Sequence, residues 1–127
     1  MKTEKQRTGR EGEDAACLFL TERGHTILER NWRKGHLEVD IISLAPDGLH
    51  IIEVKTRRAP VAADPEVNVT GSKRRNLAKA ALCFLHSADK RRVIGDAEVF
   101  FDILTVVFDN NRTTINYYPK AFIPIYV

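Results

Sequence analysis

Two neighbouring apolar segments constrain this chain more than anything else in it: Leu37-Glu38-Val39-Asp40-Ile41-Ile42-Ser43-Leu44 and Leu49-His50-Ile51-Ile52-Glu53-Val54-Lys55-Thr56-Arg57, joined by Ala45-Pro46-Asp47-Gly48. Both read as strands, because they are rich in Ile, Val and Leu and are bounded by turn residues. Pro-Asp-Gly reverses the chain for a physical reason: Pro presets φ and Gly accepts a positive φ. The expectation is a pair of buried antiparallel strands. Ionisable residues interrupt their apolar runs. Side chains alternate along a strand, so Glu38 shares a face with Asp40, and Glu53 shares one with Lys55. Two carboxylates about 4 Å apart repel by roughly 4 kcal/mol at an effective dielectric near 20. Asp40 beside Glu53 therefore calls for a cation, and the sequence offers two: Lys55 or a bound divalent metal.

The chain has 127 residues and a mass of 14.4 kDa, the size of one domain with one core. Hydrophobic residues make up 43% and charged residues 29%, which speaks against a disordered chain. No apolar run is long enough to span a membrane, and the first ten residues are polar and basic without a hydrophobic signal segment, so a cytoplasmic protein is expected. Cys17 and Cys83 lie in separate helical stretches with no CxxC, and read as reduced core residues. A net charge of +3 says little about partners. Its distribution says more: Arg33-Lys34, Arg57-Arg58, Lys73-Arg74-Arg75 and Lys90-Arg91-Arg92 are basic clusters. Gathered on one side they form a phosphate-binding surface; scattered, they are solvated helix and turn charges.

An acid inside one apolar strand, a tight turn, then Glu-x-Lys inside the next is a far rarer pattern than Glu-x-Lys alone. Asp40 followed by Glu53-Val54-Lys55 resembles the active-site motif of the PD-(D/E)xK nucleases, the restriction-endonuclease-like superfamily. From Gly9-Arg10-Glu11-Gly12-Glu13 through the central hairpin to Lys73, the chain is similar to the small bacterial YraN family of predicted endonuclease-like proteins. The likeness covers roughly residues 9 to 122, and the layout also resembles archaeal Holliday junction resolvases. It implies an α/β, restriction-endonuclease-like fold with a central mixed five-stranded sheet flanked by α-helices. It also implies Mg²⁺ or Mn²⁺ as cofactor and nucleic acid, in the first place DNA, as partner, with a homodimer as one option.

Along the chain, residues 1–8 lack periodicity and are expected to be a flexible arm, with residues 9–127 forming a single domain. The first helix is expected from Thr8 or Gly9 to Gly24, with Glu13, Ala16, Cys17 and Leu20 on one face. Glu13 either complements the helix dipole or, as the resolvase resemblance implies, completes the metal site. Thr26 to Asn31 reads as an edge strand leading into a basic turn that contains Trp32. Ala59 to Gly71 reads as a long loop beside the site. A second helix, about Ser72 to Ala88, carries an apolar stripe through Leu77, Ala80, Ala81, Phe84 and Leu85. Lys73 continues that stripe, and either grips a scissile phosphate or is an ordinary solvated lysine. Two strands close the chain, Ala97 to Phe108 with Asp102 standing out, and Thr113 to Tyr118, followed by an apolar tail.

The residues that would do chemistry follow from the resemblance. Asp40, Glu53, Glu13 and the Val54 carbonyl form a hard-oxygen set suited to Mg²⁺ or Mn²⁺, and Lys55 orients the attacking water. Lys73, Arg57, Arg33 and Arg74 are the candidate nucleic-acid contacts. Three function classes stay open at this point: a metal-dependent endonuclease acting on phosphodiester bonds, including those of branched DNA; a non-catalytic nucleic-acid-binding module with a relic site; and a protein-interaction subunit using the apolar tail. The chain departs from the YraN pattern at Leu37, at Asn68 and in lacking Phe-Gly before Lys73, which bears on substrate choice more than on the acids.

Overall fold

Thr3 opens the first helix through a reciprocal cap: its hydroxyl accepts from the Gln6 N–H, and the Gln6 side chain accepts from the Thr3 N–H. A computed structural model describes residues 3–60, 67–87 and 95–123. In it α1 runs over Glu4–Glu22, so residues 4 to 8 are helical rather than part of an arm. Five strands follow the same connectivity as expected: β1 Thr26–Lys34, β2 Leu37–Ala45 and β3 Gly48–Arg58, then α2 Gly71–Leu85, then β4 Val99–Asp109 and β5 Arg112–Tyr118. Trp32 and Arg33 belong to β1 itself, not to the turn after it. Ala88, the basic cluster at residues 90–92, part of the expected loop (61–66) and the end of the tail (124–127) lie outside the described residues.

The strands form one sheet in the order β1-β2-β3-β4-β5, antiparallel throughout except for the parallel β3–β4 pair. The β3–α2–β4 crossover is what makes a parallel pair sterically accessible. Each face of the sheet is sealed by one helix. On the α2 face, Leu77, Ala80, Ala81 and Phe84 pack on Val39, Ile42, Ile51, Phe101 and Ile103. On the α1 face, Ala16 and Leu20 pack on Ile41, Ile52, Leu104 and Val106. The result is an α/β fold whose five-stranded mixed sheet and two helices agree with a restriction-endonuclease-like layout. Trp32 packs half-buried on the α2-side core, its ring edge-on to Phe84 at 6.3 Å between centroids. No helix among the described residues is long and apolar enough to cross a membrane.

Two close approaches fix where the layers meet. Gly12 faces β3, and a Cβ there would overlap the Thr56 side chain, so glycine lets α1 lie directly on the strand. Gly48, at φ 148°, ends the expected Pro-Asp-Gly turn, and a Cβ would run into the Glu98 carbonyl. Cys17 and Cys83 are both half-buried and unbridged.

Candidate metal and nucleic-acid site

The site begins with a defect in the sheet. β3 stays paired to β4 as far as Arg58 and Phe108, but its pairing with β2 ends at Ile41 and Ile52. Asp40 is the first residue of β2 beyond that point. There the pleat also breaks: Val39 packs on the α2 side and Ile41 on the α1 side, where strict alternation would put both on one face. Across from Asp40, between the Arg30–Ile41 and Trp32–Val39 pairs, Asn31 adopts φ 51°, a left-handed conformation that asparagine tolerates better than most residues. Such strained positions cluster at functional sites.

With its β2 carbonyl partner gone, the Val54 N–H donates instead to Asp40 Oδ2 at 2.8 Å. The carboxylate is thereby held in the fork between two strands. Burial is the main reason its pKa rises from 3.8 to about 7; the charge of Glu53 adds to the rise, and the Val54 hydrogen bond and Lys73 only partly offset it. Glu13 is also raised, chiefly by burial, against the opposing pull of Arg30 and Asn31. Its Oε1 is buried and accepts no hydrogen bond, alone in this among the side-chain polar atoms of the described residues. Leaving an acceptor in that state costs free energy that a bound cation or donor would recover.

The expected site residues fall into two groups. Glu13, Asp40 and Val54 line a cleft of about 700 Å³ between α1 and β3, with Thr56, Arg57 and Arg58 along its rim. Glu53 and Lys55 line a smaller cleft of about 190 Å³ against the start of α2, with Asn68, Val69, Thr70 and Lys73. The two groups sense each other through the Glu53–Asp40 repulsion and through Lys73. Among the described residues, no three acidic, histidine or cysteine side chains are drawn together tightly enough to hold a metal as they stand.

The reason is the position of Glu53. Its Oε1 pairs with Lys73 Nζ at 3.2 Å, whereas Lys55 Nζ donates to the Asn68 carbonyl at 3.0 Å. The cation beside Glu53 is thus Lys73, supplied by α2, and not Lys55, its neighbour on the strand. Burial works to lower the Lys73 pKa, but the Glu53 charge and hydrogen bond, with Asp40 and Glu38 behind them, hold it above the ordinary lysine value. Glu38, expected to share the Asp40 face, is exposed and pairs with Arg33 at 3.2 Å. Of the candidate phosphate contacts, Arg57 is exposed at the α1 cleft and donates to its neighbouring carbonyl, Thr56 O, at 2.8 Å. Arg74 is committed elsewhere: its Nε donates to the Val69 carbonyl and its guanidinium lies 5.4 Å from the Phe122 ring centroid.

Sequence reasoning missed two features. Asn31 and Arg30, which bear on Glu13, carry no motif; only the register across β1 and β2 brings them there. A second buried polar cluster occupies the far end of the sheet on the α1 face. Asp102, fully buried, accepts from His50 Nδ1 at 2.5 Å, from the Tyr117 hydroxyl at 2.5 Å and from the Lys120 N–H at 2.9 Å. His50 Nε2 faces Asp47 Oδ1 at 2.7 Å, and His25 bonds Ser43 at 2.8 Å. Polar residues recurring in otherwise apolar strands were the available signal.

A family model described as "Uncharacterised protein family UPF0102" matches residues 12–106, a stretch that takes in Glu13, Asp40, Glu53, Lys55 and Lys73. A UPF0102 protein of Bacteroides thetaiotaomicron is 38% identical over 121 residues, covering 95% of this chain and 96% of its own. One of Phocaeicola vulgatus is 36% identical over 116 residues, 91% of this chain and 92% of its own. One of Nitratidesulfovibrio vulgaris is 38% identical over 115 residues, 91% of this chain and 83% of its own.

Proposed function

The chain belongs to the UPF0102 family, and from that footing we propose that it is a metal-dependent endonuclease of the PD-(D/E)xK type that hydrolyses phosphodiester bonds in DNA, including branched DNA. The observation that carries the reading is uncompensated negative charge in the fork between β2 and β3. Asp40 is half-buried there with a pKa near 7, and Glu13, which lines the same cleft, has a buried oxygen without a hydrogen-bond partner. A hard divalent cation is the chemical complement of that donor set. Asp40, Glu13, the Val54 carbonyl and Glu53 would hold Mg²⁺ or Mn²⁺, with Glu53 first leaving Lys73. When bound, the ion would neutralise charge on the phosphate and lower the pKa of a water.

The chain's own residues supply the rest. The Val54 N–H fixes the Asp40 carboxylate, so its position is set before substrate arrives. Lys55 and Lys73 bring two ammonium groups to the cleft at the start of α2, where they would meet a phosphate bound beside Glu53. Arg57, at the rim of the α1 cleft, favours a polyanion there.

The rival reading, a nucleic-acid-binding module with a relic site, draws support from the Glu53–Lys73 pair, which satisfies one acid without any metal. Cleavage of a panel of junction, flap and nicked substrates in Mn²⁺ separates the two. Asp40→Ala is expected to lower the cleavage rate at least about a hundredfold while DNA affinity in EDTA changes little. Wild type that binds DNA and cuts no member of the panel would make the binding module the correct reading.

A further inference from the structure

Gly9 stands on the inner stripe of α1, at i to Gly12, Glu13 and Ala16, yet has no neighbour where a side chain would stand. Gly12 and Ala16 are buried on the sheet. A Cβ built at Gly9, by contrast, would meet no atom within 4 Å. Its backbone is ordinary helix, absent from the positive-φ residues. Neither close packing nor conformation therefore asks for glycine at this position, and glycine weakens a helix relative to alanine. What the missing side chain does leave is space. The α1–β3 cleft, about 700 Å³, and a second cleft of about 620 Å³ between α1 and β1 share two lining residues, Gly9 and Glu13.

We propose that the phosphate backbone of the nucleic acid crosses α1 at Gly9, through the gap this residue leaves beside Glu13, and so runs from one cleft into the other. The proposal rests on the nuclease reading and adds the path of the substrate to it. Charge along the path suits a polyanion. Lys5 and Arg57 line the first cleft, and Arg10 lines the second together with Arg33, which is paired with Glu38. Of the acids in the walls, Asp14 is bonded to Arg30 at 2.6 Å and Glu4 lies 3.8 Å from Arg58, which is itself bonded to Glu11, while Asp40 stands with Glu13 in the first cleft. Glu13 borders both clefts, and its buried Oε1 has no hydrogen-bond partner. A side chain at position 9 would stand where the two clefts adjoin, beside Glu13.

The test sets fold stability against binding. Gly9→Ala and Gly9→Leu are expected to melt higher than wild type, by about 3 °C, because both residues favour helix over glycine. By fluorescence anisotropy with a labelled flap DNA in EDTA at low salt, Gly9→Leu is expected to raise Kd at least tenfold, with Gly9→Ala between it and wild type. In wild type, amides of residues 8–13 are expected to exchange more slowly once DNA is bound. Gly9→Leu that is folded and binds DNA like wild type would overturn the proposal, as would unchanged exchange at residues 8–13. Wild type that fails to bind any DNA would instead bring down the nuclease reading itself, and this path with it.

Discussion

Asp40→Asn is expected to make the metal-free protein more stable at pH 8, by about 3 kcal/mol in urea unfolding, while removing cleavage. The Asp40 carboxyl titrates at about 7 in the fold against 3.8 for the ordinary group, with burial as the first cause and Glu53 as the second. A folded pKa above the unfolded one means that the native state keeps a proton the unfolded chain has released. The group's contribution to stability is therefore whole below about pH 4 and is lost as pH rises through about 7. Asparagine still accepts the Val54 N–H bond but never ionises, so the variant escapes that loss. Its advantage over wild type should grow between pH 4 and 7 and then level off. A variant no more stable than wild type at pH 8 would show that the fork tolerates the charge without a cation. A stabilising substitution that destroys activity is what a strained functional site yields.

Asp102→Ala is expected to cost about 3–5 kcal/mol, the largest loss of stability anticipated for a single polar side chain here. Asp102 is fully buried and is shared by His50, Tyr117 and the Lys120 N–H, so its removal leaves three donors without their acceptor. His50 has carboxylates at both ring nitrogens, the pattern of an imidazolium. Burial alone would lower its pKa, but the bonds to Asp102 and Asp47 outweigh that and raise it. The His50 contribution is thus fully present below pH 6.5 and is lost as pH rises through its folded value. His25 runs the other way: burial first, then the His50 charge, lowers its pKa, and its contribution is present above pH 6.5 and lost as pH falls. Urea titrations from pH 5 to 9 should show the alkaline loss in wild type and a smaller one in Asp102→Ala. A variant within about 1 kcal/mol of wild type would contradict the role given to this cluster.

The central hairpin was legible in the sequence because local rules and tertiary packing agree there. Pro46-Asp47-Gly48 turns the chain, and the flanking apolar runs have nowhere to go but a sheet. The α2 stripe was legible for the same reason, each of Leu77, Ala80, Ala81 and Phe84 being buried as its period requires. The start of α1 was written in Thr3-Glu4-Lys5-Gln6, a capping box that polar, unpatterned surroundings hid. The pairing of Glu53 with Lys73 was not legible. Strand spacing identifies Lys55 as a same-face neighbour, but two residues along a strand is about 7 Å, and a long side chain arriving from α2 reaches the carboxylate first. The break in pleat at Asp40 and the left-handed Asn31 across from it are properties of paired strands, invisible to either strand alone.

The account turns on the acids in the β2–β3 fork gathering around one divalent ion. Anomalous diffraction at the manganese edge, from crystals grown in Mn²⁺, tests this directly. A peak bounded by Asp40, Glu13, Glu53 and the Val54 carbonyl, with Lys73 withdrawn from Glu53, is the result expected. A fork without manganese at millimolar Mn²⁺, with Glu53 still on Lys73, would contradict it.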